Sequence, residues 1–240
     1  MNMINLSIII PCYNEDENIF FVFEKIEKLL ENNKSVEVII IDNGSTDHTH
    51  QKIVNSKLFK EKKINFLKIE KNIGYGHGIM TGVNIASGDY IGWCHADLQT
   101  EPIDILNAYI KNLNAIENEL CVIKGLRKNR NFFDSMFTFG MSLFASIIFL
   151  KKINDINAQP KIFPKTFLNY LKDYPKDFSL DLYFIVMAKI NDYKIINHDV
   201  IMKKRLYGQA KGGGSMKGKI KLIKRTFIYI IKLRIKLWNL

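Results

Sequence analysis

Ala86-Ser87-Gly88-Asp89-Tyr90-Ile91-Gly92-Trp93-Cys94-His95-Ala96-Asp97-Leu98-Gln99 decides how the rest of the chain is read. Tyr90, Ile91 and Trp93 are large, strand-favouring residues, and the Gly88-Asp89 pair before them is a turn signal. The apolar run passes directly into His95, Asp97 and Gln99. If the extended backbone continues, these alternate residues point to one side. An imidazole, a carboxylate and an amide at a strand's carboxyl end can hold a divalent cation or bind a sugar and a phosphate. A polar loop before a helix starting near Thr100, Glu101 and Pro102 fits the same residues. Both readings stay open on this stretch alone.

Outward from it, strand and helix signals alternate. Leu6 to Ile10 is a β-branched run closed by Pro11, and Glu15 to Leu30 carries apolar residues at helical spacing. Val36 to Ile41 predicts a second strand, ending at Asp42-Asn43-Gly44-Ser45-Thr46-Asp47, with Ser45 or Thr46 capping a helix through Phe59. Strands are expected at Ile64 to Ile69 and Cys121 to Gly125, and helices at Gly78 to Ala86 and Ile103 to Ile116. Further on, Phe163 to Leu171 and Leu180 to Ile190 read as helices and Lys194 to Met202 as a strand. Apolar strands separated by helices imply an α/β protein with a mostly parallel sheet covered on both faces. Ligands then bind beyond the carboxyl ends of the strands, where Pro11 to Glu15, Asp42 to Asp47, Asn72 to Gly78 and His95 to Gln99 become neighbours.

The 240 residues are 47% hydrophobic and 25% charged, which excludes a disordered chain. Cys12, Cys94 and Cys121 lie far apart beside apolar runs, as reduced buried thiols do, and the run Leu6 to Ile10 is too short for a secretory signal. The net charge of +11 is unevenly placed: twelve Lys and Arg and no acidic residue follow Asp199, so the remainder is near neutral. Residues 132–150 are apolar almost all round but short for a membrane span and dotted with small polar residues. A core helix and an interfacial helix both fit, and Arg127, Lys128 and Arg130 before the segment and Lys151-Lys152 after it favour the interfacial one. Beyond Gly212-Gly213-Gly214, residues 212–240 are expected to form a basic amphipathic extension lying on anionic lipid, set apart from a domain of residues 1–211. A solvated basic helix docked on the same protein is the alternative.

Four pieces resemble the family 2 glycosyltransferases, nucleotide-sugar enzymes of the Rossmann-like GT-A fold. They are Ser7 to Glu15, Ile41 to Asp47, Asn72 through Asp89, and His95-Ala96-Asp97-Leu98-Gln99, which is similar to the family's Asp-Ala-Asp-Leu-Gln metal motif. Each piece stands at a strand's end and in the family's order. The resemblance implies that Pro11, Tyr13, Glu15 and Asp42 contact the nucleotide. It also implies that Ala96 and Asp97 lie against the donor, and that Asp97, Gln99 and His95 hold a divalent cation, Mn or Mg. His95 stands where the family's first Asp is usual, which puts metal identity and dependence in question.

The second half resembles the dolichol- or polyprenyl-phosphate sugar synthases. Gly125-Leu126-Arg127 sits where that group has Gly-Ser-Arg. Asp155 to Phe163 stands, much altered, at the group's Asp…Gly-Phe-Arg segment, and Val200 to Lys211 is similar to its Arg…Gly-Glu-Ser-Lys loop. The resemblance implies that Arg127, Arg205 and Lys211 face the donor's diphosphate. Asp181 is a carboxylate among apolar neighbours, readable as a general base, a sugar ligand or a salt-bridge partner. The expected activity is transfer of a sugar from a nucleoside diphosphate sugar to a polyprenyl phosphate, with inversion, at the cytosolic membrane face. Asp97, Arg127 and Asp181 would carry the chemistry. The alternative acceptor is a hydroxyl of a lipid-linked glycan in surface polysaccharide assembly. A non-catalytic membrane or nucleic-acid-binding module is the reading from another class, and no nucleic-acid partner is expected.

Overall fold

A computed structural model describes residues 4–129, 132–203, 205, 207 and 216–238. Its centre is one seven-stranded sheet of β1 (Leu6–Cys12), β2 (Val36–Asn43), β3 (Asn65–Ile69), β4 (Tyr90–Trp93), β5 (Cys121–Lys128), β6 (Lys161–Pro164) and β7 (Lys194–Ile201), in the order β3-β2-β1-β4-β6-β5-β7. β1 runs parallel to β2 and β4, β2 to β3, and β5 to β7. Only β6 is antiparallel to its neighbours β4 and β5.

The helices are α1 (Ile19–Glu31), α2 (Thr49–Asn55), α3 (Lys57–Lys60), α4 (Tyr75–Ile85), α5 (Pro102–Lys111), α6 (Leu113–Asn118), α7 (Phe132–Phe149), α8 (Leu180–Ile190) and α9 (Met216–Trp238). Alternation along β1 and β2 supplies both cores. Ile8, Ile10, Val38 and Ile40 pack with α1 and α5, while Ile9, Ile39 and Ile41 pack with α4 and α8. Both faces are apolar because both are covered, so the strands read as continuous hydrophobic runs.

Four sequence expectations change. The helix expected over Phe163 to Leu171 is instead β6 followed by a 3-10 turn, Lys165–Tyr170. The helix from Ile103 breaks at Asn112 into α5 and α6. α2 starts at Thr49, whose amide is accepted by Asp47 Oδ1 at 2.9 Å, because Ser45 and Thr46 are engaged by Asn14 of the first loop. Finally, β4 stops at Trp93 and Leu98 has φ 58°, so strict alternation does not continue through His95, Asp97 and Gln99.

α9 contributes Ile230 and Leu233 to the same core as α4 and α8, and its Phe227 ring meets Phe144 of α7 at 4.5 Å. Ile228, Ile231 and Ile235 of α9 and Phe139 and Ile147 of α7 remain exposed. The apolar side of the tail is thus split between an inward and an outward stripe. Among the described residues no helix is long and apolar enough to cross a membrane.

Candidate active site

A cavity of about 420 Å³ opens at the carboxyl ends of β1, β4 and β5. Its rim is built by lacing loops together. After Pro11 the backbone turns through Asn14 at φ 52°, and the Asn14 amide donates to Ser45 Oγ at 3.0 Å. The Thr46 amide donates to Asn14 Oδ1 at 2.8 Å, and the Glu15 amide to Thr49 Oγ1 at 2.8 Å. Two sequence-distant loops therefore become one surface, satisfying backbone donors that no strand ladder reaches.

Pro11, Tyr13, Glu15, His95, Ala96, Asp97, Gln99, Arg127, Asp181 and Arg205 all line this cavity. Asp42 does not. Its carboxylate is fully buried, where Oδ1 accepts the Ser45 amide at 2.9 Å and Oδ2 lies 3.4 Å from His50 Nδ1. Lys211 and Arg130 lie outside the described residues.

The charged side chains are held in pairs. Asp97 Oδ1 accepts the Gln99 amide at 3.0 Å, and Arg205 Nη2 donates to Asp97 Oδ2 at 2.6 Å. The segment carrying Arg205 is tied down by the Lys203 amide, which donates to Gln99 O at 3.1 Å, and by Lys203 Nζ on Glu101 at 2.6 Å. Arg127 is clasped by Asp155. Its backbone amide donates to Oδ2 at 2.8 Å, its Nε to Oδ1 at 2.9 Å, and its Nη2 to the same Oδ1. Burial would raise the Asp155 carboxyl, but hydrogen bonds and charge from Arg127 outweigh it and hold it below the usual range.

Beneath the cavity, Lys161 and Asp181 form a buried ion pair at 2.5 Å, with neither side chain more than 2% exposed. Burial pushes the Lys161 ammonium down, and attraction to Asp181 opposes it. Gln159 Nε2 donates to Asp181 Oδ1 at 3.1 Å and to Tyr75 Oη at 3.0 Å, and Tyr75 Oη lies 3.4 Å from His95 Nε2. Burial first, and then the Asp181 charge, raise the Tyr75 phenol well above its usual value, so it stays a neutral hydrogen-bonding group. Gln159 can approach because Gly125 has no side chain: a Cβ there would lie 2.0 Å from Gln159 O.

Tyr75, Gln159 and Phe178 are cavity residues that sequence reasoning did not single out as site residues. For Tyr75 a signal existed, an aromatic residue set between Gly74 and Gly76 in a loop already assigned to the site. Gln159 stood in the altered segment Asp155 to Phe163, where no single residue was picked out, and Phe178 only as an apolar neighbour of Asp181.

Such a rim, with paired loops at the carboxyl edge of a mostly parallel sheet and cations opposite a short acidic turn, defines a transferase of the GT-A class in its fold. Residues 7–149 match the family described as Glycosyl transferase family 2, and the chain belongs to that family. It is 32% identical over 182 residues to the dolichyl-phosphate beta-glucosyltransferase of Dictyostelium discoideum, covering 68% of this chain and 54% of that protein. It is 32% identical over 102 residues to the undecaprenyl-phosphate 4-deoxy-4-formamido-L-arabinose transferase of Pectobacterium carotovorum subsp. carotovorum, covering 42% of this chain and 31% of that one. The matches thus span about half and a third of these relatives' lengths. Glucosyl-3-phosphoglycerate synthase from Mycobacterium tuberculosis, solved with Mn2+, UDP and glucosyl-3-phosphoglycerate, shares the fold with TM-score 0.71 at 16% identity, over 96% of this chain and 79% of that one.

Proposed function

We propose that the chain transfers a sugar from a nucleoside diphosphate sugar to a polyprenyl phosphate, by single displacement with inversion, at the cytosolic face of a membrane. The observation that carries this reading is the convergence of Arg127, Arg205 and Asp97 on one cavity beside the loops of Pro11 to Glu15. A leaving nucleoside diphosphate develops negative charge, and two arginines fixed in place stabilise it as the sugar departs. Pro11 and Tyr13 supply a flat surface for the base, and Glu15 a polar edge. Asp42, below the loop, shapes that surface through Ser45 rather than by contact.

Among the described residues no three His, Cys, Asp or Glu side chains gather as a metal site. The donor set of Asp97, His95 and the Gln99 amide oxygen fits a divalent cation whose remaining ligands come from the donor's diphosphate. Mn suits the imidazole better than Mg does. When bound, the cation adds charge neutralisation at the leaving group. Arg205, paired with Asp97, would add its own positive charge at the diphosphate beside that cation.

Asp181 bears on the acceptor. A carboxylate bonded to a buried ammonium takes up a proton only by stranding Lys161. A general-base role is therefore costly, and a hydroxyl acceptor needs a base. A phosphate acceptor is already ionised and needs none. The two relatives are named as a dolichyl-phosphate glucosyltransferase and an undecaprenyl-phosphate arabinose-type transferase, which supports the same acceptor class.

A donor screen with undecaprenyl phosphate and with membrane extract, each with and without manganese, tests the reading. Transfer to the simple lipid phosphate is expected. Transfer only to an elongated glycolipid, abolished by Asp181→Asn, would overturn it in favour of a hydroxyl acceptor.

A further inference from the structure

The tail helix α9 reaches the active site. Leu222 of α9 lines the cavity itself. Three residues on, Arg225 Nε pairs with Asp177 Oδ2 at 3.2 Å, and its guanidinium lies 5.6 Å from the centre of the Phe178 ring. Phe178 stacks on Tyr75 with centroids 4.6 Å apart and planes within 14°, and Tyr75 stacks on His95 at 5.2 Å and 14°. Four flat groups thus run from the tail to the imidazole beside Asp97.

The loop carrying Asp177 and Phe178 is also clasped to the start of α4. The His77 amide donates to Lys176 O at 3.0 Å, and Gly74, at φ 143°, would place any Cβ 2.3 Å from that same oxygen. A ring sandwiched this closely has little rotational freedom, so what holds Phe178 holds Tyr75, and what holds Tyr75 orients His95.

We propose that α9 forms a working wall of the catalytic cavity, and that Arg225 is a positioning residue acting through Phe178 and Tyr75 on the His95 imidazole. Asp177 has a second duty, accepting the Ser179 amide at 2.8 Å just before α8, which carries Asp181. Arg225 therefore braces the loop between the two halves of the site. The helix that the sequence assigns to the membrane is in this way coupled to the turn that holds the donor. The proposal rests on the cavity being the donor site, and its test separates the two.

Proton–carbon correlation spectra of the five histidines read His95 directly in the free protein, its signal assigned by loss in H95N. Stacking on Tyr75 gives that signal a ring-current displacement that the exposed His48 lacks. R225A is expected to move the His95 signal toward that of His48, leave the other histidines in place, and preserve the melting temperature. R225K, which keeps the cation and the partner Asp177, is expected to restore most of the displacement. In steady-state transfer kinetics, R225A is expected to lower kcat by about 10- to 100-fold with a smaller change in the donor KM, as loss of orientation does. F178L provides an independent break in the same stack and should reproduce both effects. An unmoved His95 signal in R225A overturns the proposal, as does an equal shift of all five histidines with a fallen melting temperature. If no nucleotide sugar is turned over by the wild type, the donor reading fails, while the His95 spectra still decide the role of Arg225.

Discussion

At the scale of single residues, two lysines inside the sheet impose the sharpest constraints. Lys161 and Asp181 compensate each other in a place where neither ion is stable alone. Asp181→Asn is expected to cost about 3–5 kcal/mol of stability, the usual penalty for breaking a buried pair. K161M/D181N should recover most of that in urea unfolding, since an uncharged pair no longer strands an ion. Equal stability of D181N and wild type would show that the pair compensates nothing. Lys124 behaves differently. It is 1% exposed, its Nζ donates to Gly125 O at 2.9 Å, and burial lowers its pKa from 10.5 to about 7, with Lys161 and Arg127 pushing the same way against Asp155. The unfolded chain then binds more protons than the folded one between the two values, so stability rises with pH across that window. Wild-type stability measured by urea unfolding should climb from pH 7 toward pH 10, and K124M should lose the climb. Little of this was legible in the sequence. A lysine in an apolar strand looks like an edge residue until its partner, twenty positions away in Asp181 for Lys161, is folded against it. Asp97 and Arg205 were legible separately because each stood in a loop of the right kind. Their direct bond, across 108 positions, was not.

At the scale of elements, the strands that are continuous hydrophobic runs were readable, and β6 was not. Lys-Ile-Phe-Pro is four residues that follow Pro160 and end at Pro164, too short to show a period, and the following turn borrows helical spacing from Phe167 and Leu171. Its antiparallel course matters, because it carries Lys161 to the cavity floor and brings Gln159 beside Tyr75. α9 was read correctly as a helix, but its apolar residues divide between two stripes that no wheel of one segment distinguishes. Ile230 is fully buried, whereas Ile228 is 44% exposed. Removing a buried isoleucine from its core forfeits about 1.5–3 kcal/mol of burial before any cost of placing a charge there. I230E should therefore lower the melting temperature steeply and I228E hardly at all. Equal losses would mean that the helix does not dock as described.

At the scale of the molecule, α9 contributes both to the wall of the cavity and to an exposed apolar surface. The sheet order places the ends of β1, β4 and β5 at one opening, and this was inferable from the rule that ligands gather beyond the carboxyl edge of a parallel sheet. The pairing of α7 with α9 was not inferable, since each segment by itself could have lain alone on a membrane. Together they present Phe139 and Ile147 of α7 and Ile231, Ile235 and Trp238 of α9 to solvent, and α9 belongs to the stretch after Asp199 that has twelve Lys and Arg and no acidic residue. Exposed apolar side chains of this number are costly in water and favourable at a lipid surface, and each nearby Lys or Arg adds about 1 kcal/mol on an anionic leaflet. The two contributions respond to different variables. Salt screens the charges and leaves the apolar insertion intact. Binding to phosphatidylglycerol vesicles should accordingly exceed binding to phosphatidylcholine vesicles and fall as salt rises. F139E/I235E should weaken binding to both lipids without lowering the melting temperature, because neither side chain belongs to the core. Vesicle sedimentation across a salt series separates the cases. Binding that ignores both lipid charge and this double substitution would remove α7 and α9 as the docking surface and leave the cavity without its proposed approach to a lipid phosphate.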